Sequence, residues 1–248
     1  MNVVYDGVTD VGRLRSVNED CLLLQPVLDG KYLLSVVADG VGGNGGGDIA
    51  SRLACETMLS YVDGATENES IADLLSVALV NANNAIVEQH ANPFLSHMTT
   101  VLTAALLNLE NGEMHVCHVG DTRLYAMRKG KLYKLTSDHS VVGPMEERGA
   151  LTEEQAMCHP RRNLITRSVG KNPLRFGTDF IQSMNVKLNP PCTVLMCSDG
   201  LYDMVHSSQV VKILSSDDDV ATKVGGLVNA ANAAGGKDNI TVAVIELE

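Results

Sequence analysis

This sequence predicts an α+β fold in which sheets pack on one another, and three observations carry the expectation. Segments of strand composition outnumber helical ones and fall in runs. Helical periodicity is confined to three blocks. The regular strand–helix–strand alternation that a parallel sheet needs is missing.

In chain order, "KYLLSVVA" (31–38) is an apolar strand that runs into an aspartate. Residues 48–62 carry a helical pattern. Residues 70–90 repeat it, with Ile71, Leu74, Leu75, Ala78, Leu79, Ala82, Ala85 and Ile86 at helical spacing. "TVLTAALLNL" (100–109) and "EMHVCHVG" (113–120) have strand composition. "TRLYAMRKGKLYKLT" (122–136) reads as a hairpin turning near Lys129-Gly130. "CTVLMCS" (192–198) is a further strand. A helix over 217–234 opens on acids that suit a helix N-terminus, and "ITVAVIEL" (240–247) is the last strand.

The chain has 248 residues and shows neither internal repeat nor low-complexity linker, so one domain over 1–248 is expected. A formal net charge of −11 argues against a nucleic-acid partner. No apolar run reaches the ~18 residues of a membrane span, and the N-terminus lacks the apolar core of a signal peptide. The cytoplasm is therefore the expected location. The six cysteines form no C-x-x-C pair and read as reduced thiols.

The stretch "SVVADGVGGNGGG" (35–47) poses the functional question. Gly40-Val41-Gly42-Gly43-Asn44-Gly45 fits the dinucleotide fingerprint G-x-G-x-x-G, and Asp63 stands near the distance of a ribose-binding acid. Yet Asp39 directly before the first glycine would repel a pyrophosphate, and no Gly-Lys pair is followed by Ser or Thr as a phosphate loop requires. Repetition is the better clue. Asp39-Gly40 and Asp199-Gly200 both end apolar strands, and Asp238 stands before another. Glu19-Asp20 abuts a fourth apolar run, and Asp121 ends a fifth. Carboxylates gathered at strand margins repel one another unless a cation sits among them. An oxygen-only set suits hard divalent ions, and glycines let backbone carbonyls and water approach such an ion.

"RSVNED" (15–20), "VADGVGG" (37–43), "MTT" (98–100), "HVGDTRLYAMRKGKLYKLTSDHSVV" (118–142), "HPRRNLITRSVG" (159–170), "CSDGLYD" (197–203) and "GGKDNITVAVIEL" (235–247) resemble, in order, motifs of a known family. It is that of the metal-dependent serine/threonine protein phosphatases of type 2C, in their bacterial form, and the match covers nearly the whole chain. The resemblance implies a four-layer αββα sandwich, two central antiparallel sheets flanked by helices, with two Mn²⁺ or Mg²⁺ ions at one end and a third, weaker one in bacterial members. It implies Asp39 as the acid bridging two ions, Glu19 and the Gly40 carbonyl as ligands of one, and Asp199 and Asp238 as ligands of the other. It implies Asp20 as the acid that orients the attacking water, Asp121 and Asp203 as ligands of a third ion, and Arg15 as the holder of the substrate phosphate. The expected reaction is one-step hydrolysis of phosphoserine and phosphothreonine by a water between two metal ions. The partners implied are phosphorylated proteins, a serine/threonine kinase or its targets, met by a monomer. The segment 143–167 resembles the family's flap beside the site, and Arg161 and Arg162 are candidates for phosphopeptide contact.

Two rivals stand beside this reading: a pseudophosphatase or binding module on the same fold, and a dinucleotide-dependent oxidoreductase. Where animal members of the family often carry a histidine after Asp-Gly, this chain has Val41, and Met98 replaces the family's glycine before Thr-Thr. His115 and His118 fall on opposite faces of a strand and share no metal; His139 reads as a loop hydrogen-bonding residue.

Overall fold

The computed structural model describes residues 1–41, 45–65 and 70–248. Two five-stranded sheets form its centre. The first has the order β1 (Val3–Asp10), β10 (Ile240–Leu247), β9 (Cys192–Cys197), β6 (Arg123–Arg128), β7 (Lys131–Lys134). The second has the order β2 (Asp20–Val27), β3 (Tyr32–Val41), β4 (Thr99–Asn108), β5 (Glu113–Val119), β8 (Gln182–Lys187). Every neighbouring pair is antiparallel. This removes the dinucleotide reading, which needs parallel strands around the glycine turn. Of that fingerprint, Gly42, Gly43 and Asn44 lie outside the described residues.

The central strands are apolar on both faces because both faces are covered. On β3, Leu33 and Val37 enter the core between the sheets, while Leu34, Val36 and Ala38 face α1 (Gly47–Asp63) and α2 (Ile71–Gln89). On β10, Ala243 and Ile245 enter the same central core, while Val242 and Val244 face α7 (Val220–Ala233). Strand periodicity thus sends alternate residues into different layers. The result is the four-layer αββα sandwich. The hairpin turns at Lys129-Gly130, both with positive φ (51° and 70°), as a tight turn joining twisted strands requires.

Three strands and several short helices escape the sequence reading. In β1, Asp6-Gly7 looks like a turn, but Gly7 sits where the sheets approach closely. A Cβ there would lie 2.8 Å from Leu22 and 2.9 Å from the Val242 carbonyl. The edge strands β2 and β8 read poorly because one carries Pro26 and the other is mostly polar. Helix α6 (Ser207–Leu214) is only eight residues long, too short for a periodicity to stand out.

The segment 143–167 holds two short helices, α3 (Gly143–Glu147) and α4 (Glu153–Met157). It is tied to the body by charge. Glu146 meets Arg123 at 2.8 Å and Glu147 meets Lys134 at 3.0 Å. Glu153 accepts from the Ser207 amide and hydroxyl, both at 2.6 Å.

Candidate active site

The antiparallel pairings bring the acids together. Residue 39 near the end of β3 lies beside residue 20 at the start of β2, and the register seats Asp20 directly opposite Asp39. Like charges in that position destabilise a sheet unless something offsets them. The end of β9 lies beside the start of β10, so Asp199 and Asp238 share the same end of the other sheet. β5 ends at that end too, just before Asp121. A cavity of roughly 230 Å³ opens there between the sheets. Arg15, Glu19, Asp39, Gly40, Asp121, Asp199 and Asp238 line it, with no His or Cys.

Burial and mutual repulsion govern the protons. Burial, then the neighbouring carboxylates Asp20 and Asp199, drive Asp39 well above the ordinary carboxylate range. Burial, then Asp121, Asp203 and Asp238, do the same to Asp199. Burial lifts Asp121 to about 7. Asp20 rises to about 6 through burial, held back by hydrogen bonds to Oδ2 from Thr241 (2.6 Å) and Ser198 (2.7 Å). Both donors sit on one oxygen, so Oδ1 is free of protein donors among the described residues. The side chains of Asp39, Asp121 and Asp199 make no ion pair among the described residues; Asp121 is steadied by its own backbone amide, and the Asp39 carbonyl accepts from Thr100 at 2.6 Å.

Arg15 stands at the rim, half exposed, and its guanidinium donates to Asp238 Oδ2 at 2.8 Å. Asp203 is set apart from the cavity. Its carboxylate accepts from Arg162 at 2.6 Å, and it lines a small crevice beneath α3 and α4 together with Arg123 and Tyr202. Of the acids expected at the site, the structure therefore groups Glu19, Asp39, Asp121, Asp199 and Asp238 around one cavity. Asp20 lies buried at its edge, and Asp203 is paired with the 143–167 segment.

The donor chemistry fits hard cations. Among the described residues, no three Asp, Glu, His or Cys side chains close around one point; the acids line the walls instead. They are nonetheless oxygen donors only, crowded together, and among the described residues Asp238 alone of them is paired with a protein cation, the setting in which carboxylates accept a divalent ion. The glycines form a cradle. A Cβ on Gly40 would collide with the backbone of Gly47, and one on Gly47 would lie 2.6 Å from Glu19 Oε1 and 2.9 Å from the Gly40 carbonyl. Glu19 and the Gly40 carbonyl thus converge on space that only glycine leaves open.

Asn239 escapes the sequence reading because its amide works on backbone. Its Oδ1 accepts from the Glu19 amide at 2.9 Å, and its Nδ2 donates to the carbonyls of Val11 and Val17, both at 3.0 Å. One buried amide so pins both ends of the loop that carries Arg15. Ser198 and Thr241, which fix Asp20, escape for the same reason: a serine and a threonine beside strand ends are unremarkable in sequence. The histidines behave as strand and loop residues. His115 bonds Asn185, whereas His118 is buried, bonds Thr103 at 2.8 Å and is held neutral, near 3, by burial. His139 closes the turn after β5 by accepting from the Gly120 amide at 3.1 Å.

A β-sandwich with helical outer layers, carrying a pocket of buried carboxylates at one end and an arginine on its rim, defines a class: hydrolases that act on phosphate through hard cations. A model of the family described as protein phosphatase 2C matches residues 14–237, and the chain belongs to that family. The protein phosphatase PhpP of Streptococcus pneumoniae is 34% identical over 246 residues, covering 97% of this chain and 96% of that protein. The solved serine/threonine phosphatase of S. agalactiae superposes with a TM-score of 0.87 at 31% identity over the full length of both chains. The catalytic domain of the phosphatase PstP, solved in complex with two manganese ions, superposes with a TM-score of 0.83 at 29% identity, covering 98% of this chain and 97% of that one.

Proposed function

We propose that this chain removes phosphoryl groups from phosphoserine and phosphothreonine in proteins, with Mn²⁺ or Mg²⁺ held by the acid pocket. The observation that carries the reading is the set of crowded carboxylates lining one cavity, Asp39, Asp121 and Asp199, whose side chains make no ion pair among the described residues and whose pKa values are pushed up by burial and by neighbouring carboxylates. Glu19, Asp39 and the Gly40 carbonyl would hold one ion. Asp39, Asp199 and Asp238 would hold the second, with Asp39 common to both. Bound there, two hard cations supply an activated water and neutralise charge on the phosphate.

The chain's own groups do the rest. Arg15 keeps guanidinium donors beyond the one spent on Asp238, and these take phosphate oxygens at the rim. Asp20 offers its free Oδ1 to orient the attacking water and receive its proton, while Ser198 and Thr241 hold the carboxylate still. A third ion at Asp121 and Asp203 requires Arg162 to leave Asp203. The segment 143–167, with Arg161 and Arg162, serves as the flap over bound phosphoprotein. The substrates on this reading are phosphorylated proteins, a serine/threonine kinase or its targets, and the enzyme works as a cytoplasmic monomer. No helix among the described residues is long and apolar enough to cross a membrane.

A chelator should abolish hydrolysis of a generic phosphate ester, and added Mn²⁺ should restore it. Hydrolysis indifferent to a strong chelator would overturn the mechanism. No hydrolysis with any divalent ion would leave a binding module on the same fold.

A further inference from the structure

At the end of the sandwich away from the acid pocket lies a cationic groove. β7 ends one sheet and β8 ends the other, and the groove of roughly 610 Å³ runs between these two edges. Arg128, Lys129 and Lys131 border it from the hairpin and Lys187 from β8, all exposed, and no carboxylate lines it. The chain has 30 acidic residues against 19 Lys and Arg, so four cations without an acid in one groove depart sharply from its average surface. Among the described residues, only Lys187 of these four has an acidic partner, the exposed Glu113 at 3.6 Å, a pairing worth little in water. Tyr133, 47% exposed, stands among the cations with the Lys131 ammonium 5.1 Å from its ring centre, and Val186 contributes to an apolar floor. Each edge strand pairs on one side only, which leaves backbone donors and acceptors for an added extended segment.

We propose that this groove docks an acidic, extended segment of a protein partner, remote from the site of hydrolysis. Charge selects the occupant: an acidic peptide meets cations from both the hairpin and β8 here, whereas the chain as a whole carries a formal net charge of −11. β6 runs from Arg123, two residues after Asp121 of the acid pocket, to Arg128, five residues and about 17 Å further along the strand. A partner held by an acidic stretch can therefore present a phosphorylated residue elsewhere on its chain to the pocket.

The test uses a fluorescent, unphosphorylated peptide rich in Asp and Glu, followed by anisotropy with the full chain. Chelator is present, so that metal in the acid pocket does not recruit the probe. Saturable binding that weakens with salt is expected. Arg128→Glu combined with Lys131→Glu should weaken it at least tenfold while leaving hydrolysis of a small phosphate ester unchanged. The same peptide with its acids replaced by lysine should not bind. No binding of the acidic peptide, or binding indifferent to the double substitution, overturns the proposal. So does a single-stranded oligonucleotide that binds the groove more tightly than the peptide, which would make it a generic polyanion surface.

Discussion

Divalent ions should stabilise this protein more as pH rises, because they replace protons that the folded pocket retains. Asp39 and Asp199 are held well above the ordinary carboxylate range, Asp121 near 7 and Asp20 near 6. A carboxyl whose pKa is raised by folding adds stability that is complete below its unfolded value and is lost as pH rises through the folded value. The metal-free protein therefore loses support from Asp20 and Asp121 between about pH 4 and pH 7, and Asp39 and Asp199 add to the loss as pH rises. The acids share one cluster, so protons kept by some let the others ionise, and metal entering the pocket must displace the protons that remain. Each proton displaced weakens metal binding by about 1.4 kcal/mol for each pH unit lowered. For a chain of this size, 1 kcal/mol moves Tm by roughly 2–4 °C. At a fixed, saturating Mn²⁺ concentration, the metal-induced rise in Tm at about pH 7 should thus exceed that at about pH 6 by roughly 3–6 °C for each proton displaced. The neutral histidines His118 and His139, held near 3 and 4 mainly by burial, oppose folding below their ordinary pKa. They do so with and without metal, so they cancel in the difference. Thermal melts at the two pH values, with metal and with chelator, give the shift, and calorimetry in buffers of different ionisation enthalpy counts the protons released. Equal metal-induced shifts at both values, with no proton release, would refute the idea that these acids are what the metal meets.

Other substitutions separate the pocket's parts. Asp39→Asn should lower kcat by roughly 10²-fold or more and raise the Tm of the metal-free protein at neutral pH, since it removes the most crowded charge; a variant of near-normal kcat would remove Asp39 from the centre of the mechanism. Asn239→Ala strips three hydrogen bonds from the Arg15 loop. It should cost about 2–4 kcal/mol in denaturant unfolding and raise KM more than it lowers kcat, and an unchanged KM would show that the loop holds itself. Arg123→Met leaves buried Asp138 without the guanidinium that holds its pKa down. A loss of about 3–5 kcal/mol is expected, and a melt like that of the parent protein would refute the role given to this pair.

How much of this was legible in the sequence follows from where each signal is written. Asp39-Gly40 and Asp199-Gly200 are local signals, a charge at the mouth of an apolar strand, and such signals recur in a form that a reader can match. So is the Lys129-Gly130 turn, whose positive φ values follow from neighbouring residues alone. The αββα architecture became readable only through the resemblance, because apolar strands covered on both faces look alike whichever layer covers them. What stayed hidden depends on pairs distant in sequence. Gly7 means a turn by itself and close sheet packing only when Leu22 and Val242 lie against it. Asn239 means little until Glu19, Val11 and Val17 surround its amide.

The same distinction explains why the acids are arranged as they are. A sheet whose register places Asp20 opposite Asp39 is worse by itself than one with neutral residues there. No local rule compensates for the repulsion, and the hydrogen bonds that exist go to Asp20 rather than Asp39. The ledger closes only if something outside the polypeptide supplies positive charge, so the strain in this pocket is itself the specification of its ligand. Arg15 and Arg162 answer that demand in part, each reaching one peripheral acid, Asp238 and Asp203, and leaving the centre to be filled. A cation entering the pocket must therefore do two things: relieve the repulsion at Asp39 and Asp199, and compete with guanidinium groups at the margin. On the proposed reading, the first should make the central positions bind tightly, and the second should make any position that needs Asp203 bind weakly. An order of affinities among the ions follows from which acids this chain has already partnered.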